Sequence, residues 1–139
     1  MQQQISIITL GIQDLIGSKR FYVDGFGWKP VFENEEIVFY QMNGFMFGTW
    51  YGHKLEGDMQ RQNQGPGPFS LAHNVSSKDA VETAMERLLS HGGSLLRPAD
   101  APIYGGFRGY VADPDGHAWE IAWNPAWSID ALGHVRFGL

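Results

Sequence analysis

Residues 5–12 are almost continuously apolar and rich in β-branched side chains, which reads as a buried strand. The next stretch changes period. Asp14 offers an N-cap, and Leu15, Ser18, Phe21 and Tyr22 recur at helical spacing until Gly25 and Gly27 end the pattern. Strands are predicted over positions 28–32, 36–42 and 45–51, the last two joined by Asn43-Gly44, a strong hairpin signal. Positions 52–68 break the pattern. They are polar and rich in Gln, Gly and Pro, and predict a connector with a short helix near 54–60.

The order then recurs. Positions 69–75 predict a strand. Ser76 or Ser77 caps a helix that places Val81, Ala84, Met85, Leu88 and Leu89 on one face, closed by Gly92-Gly93. Strands follow over 94–97, 106–112 and 117–123. Two copies of a βαβββ unit, each about 55–60 residues long, account for the pattern. The fold class expected is α+β: two such modules with curved mixed sheets enclosing a central cavity and helices outside. Module one takes residues 4–51, the connector 52–68, module two 69–125 and a C-terminal tail 126–139, all in one domain. Aligning Gly44 with Gly116 sets Gly48 against Glu120, and aligning the first strands by their ends sets Ile7 against Ser70.

Composition narrows the function. The chain has 139 residues, 43% of them hydrophobic and 18% charged, as expected of a globular protein. Its net charge of −5 disfavours nucleic-acid binding. No apolar run is long enough for a membrane span or a leader, so a cytoplasmic protein is expected. With no cysteine there is no thiolate nucleophile and no sulfur metal ligand. The 14% aromatic content suits a ligand site, an interface or a dense β-rich core.

One residue stands out. The run after the Asp113-Pro114-Asp115-Gly116 turn is apolar except for Glu120, and a carboxylate there needs a partner or a role. Pairing each hairpin through its turn sets Gly48 opposite Phe39, Met46 opposite Gln41, Glu120 opposite Gly109 and Ala118 opposite Val111. Strand alternation then yields a mostly apolar lining of Ile7, Thr9, Phe39, Gln41, Met46, Gly48, Trp50, Ser70, Asn74 and Val111 around Glu120, with Gly48 and Gly109 leaving space. By the same alternation His73, His117 and Arg108 point away from Glu120. Apolar tail residues such as Trp127 and Leu132 suggest docking onto the domain or onto a second copy.

The chain resembles the vicinal oxygen chelate superfamily, whose members include glyoxalase I, extradiol dioxygenases and bleomycin-resistance-type binding proteins. Asp14-Leu15, Ser18, Phe21-Tyr22 and Gly25-Phe26-Gly27-Trp28 carry the resemblance early, and Asp113-Pro114-Asp115-Gly116 with Glu120 late. It implies paired modules around a ligand cavity, often in a homodimer. In metal-using relatives the ligands fall at positions corresponding to Ile7, Gly48, Ser70 and Glu120. Zinc, iron or nickel needs three or four His or carboxylate ligands at about 2.0–2.2 Å, and only Glu120 qualifies.

The expectation is therefore a protein that binds a small organic molecule, with no cofactor and Glu120 as general base or hydrogen-bond acceptor. Whether it catalyses a reaction is open. The rivals are a metal-dependent lyase of the glyoxalase I type or a dioxygenase, with a divalent metal at Glu120, a non-catalytic ligand-sequestering dimer, and a regulatory partner-binding domain.

Overall fold

The computed structural model describes residues 1–62 and 69–137. Two compact units divide the chain, Met1–Pro68 and Phe69–Leu139. The end of the expected connector, 63–68, lies outside the described residues.

In the first unit, strand β1 (Ile7–Ile12) leads into helix α1 (Leu15–Lys19). The Asp14 carboxylate caps α1 by accepting from the backbone N–H groups of Ile16 and Gly17, at 3.1 and 3.0 Å. Beyond Lys19 the helix continues as a π-helical segment, Arg20–Gly25, which buries Phe21 and Tyr22 together. Strands β2 (Pro30–Glu33), β3 (Ile37–Gln41) and β4 (Met46–Tyr51) complete a sheet in the order β1-β4-β3-β2. The pairing of β1 with β4 is parallel and the other two are antiparallel, so the sheet is mixed. Helix α2 (Gly52–Met59) follows, where the sequence predicts a short helix.

Tyr22 is the hub of the packing. Its ring lies 5.0–6.0 Å from those of Phe21, Phe26, Trp28, Tyr40 and Phe47, and Phe26 stacks on Trp28 at 4.3 Å. With Leu10, Ile12 and Val38 these side chains form the core between helix and sheet. The rings of this cluster therefore serve packing.

The second unit repeats the order. Strand β5 (Leu71–Asn74) leads to helix α3 (Lys78–Ser90), capped by Ser77, whose hydroxyl accepts from the Ala80 N–H at 3.1 Å. Strands β6 (Ser94–Asp100), β7 (Phe107–Ala112) and β8 (Ala118–Trp123) give a mixed sheet ordered β5-β8-β7-β6. Val81, Met85 and Leu88 of α3 are buried, as are Val111, Trp119 and Ile121 of the sheet. At Gly109 an added Cβ would lie 2.5 Å from Met85 Sδ and 3.0 Å from the Arg97 carbonyl oxygen. The glycine therefore admits the helix to the sheet. It does not open space on the face that carries Glu120, contrary to the expectation for it.

Two strands absent from the sequence reading, β9 (Trp127–Ile129) and β10 (Val135–Phe137), pair antiparallel in the tail. Among the described residues no helix is long and apolar enough to cross a membrane.

Candidate active site

The two hairpins turn differently, and that decides which residues meet. In the first unit the two-residue turn Asn43-Gly44 pairs Gln41 with Met46 and Phe39 with Gly48, as the sequence predicts. Parallel pairing adds Ile7 beside Met46 and Thr9 beside Gly48. Ile7, Thr9, Phe39, Gln41, Met46, Gly48 and Trp50 thus share one face of this sheet, opposite the aromatic core.

In the second unit the backbone closes from Asp113 N–H to the His117 carbonyl at 2.9 Å, so Pro114-Asp115-Gly116 is a three-residue turn. Gly116 takes the left-handed conformation, φ +91°, that such a turn requires. The buried Asp113 carboxylate holds the turn from inside, accepting from the N–H groups of Asp115 and His117 at 2.9 and 2.8 Å.

The extra turn residue moves the register by one. Glu120 pairs with Tyr110 and not with Gly109, and Ala118 pairs with Ala112 and not with Val111. A one-residue slip exchanges the faces of a strand. Val111, expected beside the ligand, is fully buried on the α3 side. Arg108, expected to point away, shares the face of Glu120. In β5, Ala72 pairs with Glu120 and Asn74 with Ala122, which puts both on the face of Glu120, whereas His73 pairs with Ile121 on the α3 side. Burial lowers the pKa of His73 from its ordinary value. Ser70 is exposed, just before β5.

The face so assembled has a distinct chemistry. Ala72, Ala118 and Ala122 surround Glu120 with short side chains. The Tyr110 hydroxyl donates to Glu120 Oε2 at 2.9 Å, and the other carboxylate oxygen has no partner among the described residues. Burial first, then the neighbouring carboxylate, raises the Tyr110 pKa, so the phenol keeps its proton for this bond. Farther along β7, Arg108 forms an ion pair with Asp100, whose second oxygen is held by Arg97 at 2.9 Å. Asp100 is kept below the usual carboxylate range, the Arg97 hydrogen bond foremost. Sequence reasoning missed Tyr110 and Arg108. The signal was present in Pro114 and Gly116, which together mark a three-residue turn.

Residues 4–121 match the model of the Glyoxalase/Bleomycin resistance protein/Dioxygenase superfamily. The chain belongs to that superfamily. It is 57% identical to a glyoxalase-related enzyme from Fulvimarina pelagi, covering 99% of this chain and 100% of that one, with a TM-score of 0.95. A family enzyme from Burkholderia phytofirmans (18% identical, 85% and 96% covered, TM-score 0.75) and a lactoylglutathione lyase from Agrobacterium tumefaciens (18%, 94% and 100%, 0.70) share the fold.

The metal that many superfamily members use does not fit these residues. Of the four positions that would supply ligands, Ile7 and Gly48 carry no donor atom, and Ser70 has only a neutral hydroxyl. A side chain at position 48 would start with its Cβ 3.1 Å from the Phe39 ring. Among the described residues no group of three or more His, Cys, Asp or Glu side chains is placed to hold a metal ion.

Proposed function

We propose that this chain binds a small organic molecule on the Glu120-bearing face of β7 and β8, without a protein-built metal site, and that Glu120 receives a hydrogen bond or a proton from it. One observation carries the reading: the Glu120 carboxylate is fixed through one oxygen by Tyr110 and has the other without a partner among the described residues, amid alanines. A carboxylate in that state has an acceptor to offer and little freedom to move away from its ligand. Tyr110 orients it, and the phenol oxygen retains lone pairs for a donor on the same ligand. Where the ligand has an acidic hydroxyl or C–H group, Glu120 takes its proton as a general base.

The test is a small-molecule library screened by thermal shift on chelator-treated protein, with hits measured again on Glu120→Gln. Hits that survive chelation and weaken about tenfold or more in the variant support the reading, a loss consistent with a hydrogen bond to a charged group. Hits indifferent to the variant refute it. A homodimer is the assembly proposed with this reading, and light scattering that finds a strict monomer refutes that part.

A further inference from the structure

Resting on that reading, we infer that the ligand is a small organic acid that also carries a hydrogen-bond donor, its carboxylate taken by Arg108 and its donor by Glu120. Three observations converge within the second unit. Arg108 and Tyr110 lie two residues apart on one face of β7, and residues at that spacing are about 6.5–7 Å apart along a strand. Glu120 is the direct cross-strand partner of Tyr110. The backbone positions of Arg108 and Glu120 are thus separated by one step along β7 and one across to β8, with Tyr110 at the corner between them.

The second observation is the state of the arginine. Its side chain is only 11% exposed, so it is folded against the sheet and not extended into water. Its one ion pair, to Asp100, engages a single terminal nitrogen. A guanidinium has five N–H donors, so most of this one has no protein partner among the described residues, and a carboxylate accepts two of them side by side. Third, Asp100 is itself anchored by Arg97 and by its place at the irregular end of the β6–β7 pairing. That arrangement holds one edge of the Arg108 guanidinium and leaves the charge of two arginines against one aspartate. The face therefore presents a cation at one end and an acceptor at the other. A ligand of the opposite polarity, anion then donor, complements it; a purely apolar or a cationic ligand does not.

The competing account makes Arg108 a structural link between β6 and β7, and three matched probes separate the two. Phenol carries the donor alone, benzoate the acid alone and 4-hydroxybenzoate both. Their affinities are measured by NMR titration on the full chain and on Arg108→Gln, Arg108→Lys and Glu120→Gln, with each variant's thermal stability recorded. The inference predicts 4-hydroxybenzoate tightest by about tenfold or more over either fragment, the range of a charge-assisted hydrogen bond. Arg108→Gln should remove its advantage over phenol and leave phenol unchanged, Arg108→Lys should retain part of it, and Glu120→Gln should remove its advantage over benzoate. Equal weakening of all three probes in Arg108→Gln, in step with lost stability, overturns the inference in favour of the structural link. Phenol binding as tightly as 4-hydroxybenzoate also overturns it, and sensitivity of that phenol binding to Glu120→Gln would leave the Glu120 reading standing. Failure of all three probes to bind the wild type overturns the acid-binding inference. Probe binding that ignores Glu120→Gln overturns the parent reading instead.

Discussion

The two modules share a plan and have diverged at the same place in it. In each, the last strand follows a turn closed by a left-handed glycine, Gly44 in one and Gly116 in the other. Four residues beyond it stands Gly48 or Glu120, and each faces an aromatic residue on the neighbouring strand, Phe39 or Tyr110. In module one the glycine lets the Phe39 ring lie down on the strand, so the pair is closed and apolar. In module two one hydroxyl and one carboxylate turn the same pair into a fixed hydrogen bond. Their interiors differ in the reverse sense: module one packs around a cluster of aromatic rings, module two mainly around aliphatic side chains of α3 and the sheet, with Trp119 as a buried ring among them. The polar Tyr110–Glu120 pair thus belongs to the module with the less aromatic interior, and the ring cluster is the scaffold of the other.

Substitutions can break this contrast at several points. The largest effect is expected in the scaffold: Tyr22→Ala, which removes the hub of the ring cluster, should destabilise the fold by about 3–5 kcal/mol in chemical denaturation. A loss under 1 kcal/mol (on the scale of surface substitutions) would contradict the scaffold role. Next come the two sheet glycines. Gly109→Ala presses on Met85 and on the backbone at Arg97 and should cost about 1–3 kcal/mol, whereas Gly48→Ala meets a ring that can turn and should cost less. The reverse order would show that the helix, not the ring, has room to give.

Asp113→Ala should cost about 1–3 kcal/mol, because it leaves two N–H groups of the three-residue turn without their buried acceptor. If the turn then loses its register, NMR contacts between Tyr110 and Glu120 disappear with it. Tyr110→Phe copies the Phe39 arrangement into module two. It should change stability by less than about 1 kcal/mol and weaken ligand binding several-fold. The smallest effect concerns His73. Its folded pKa lies below the ordinary 6.5, so the unfolded chain binds the proton more readily. The stability that follows from keeping this histidine neutral is fully present above about pH 6.5 and is lost as pH falls through the folded value. His73→Leu should flatten that acid limb, and an unchanged stability–pH curve would exclude the contribution.

How far the sequence leads depends on the kind of signal. The duplicated order, the Asp14 and Ser77 caps and the whole Glu120-free face of module one follow from periodicity and from a two-residue Asn-Gly turn whose register has one solution. In module two the predicted strands and helix also formed, yet the partner of Glu120 was displaced by one residue. Strand patterns fix which stretches pair but not the size of the turn between them, and a single added turn residue reverses every side chain of β7. Val111 and Arg108 changed places for that reason alone. The tail hairpin escaped notice because its strands are three residues long and largely exposed, too short for an alternation to register.

The most direct measurement is ligand binding by wild-type and Glu120→Gln protein, compared side by side after chelation and after addition of zinc, nickel or iron. Binding that survives chelation, gains nothing from added metal and falls about tenfold or more in the variant is what this account predicts. Binding that chelation abolishes and metal restores, or that Glu120→Gln leaves unchanged, would contradict it.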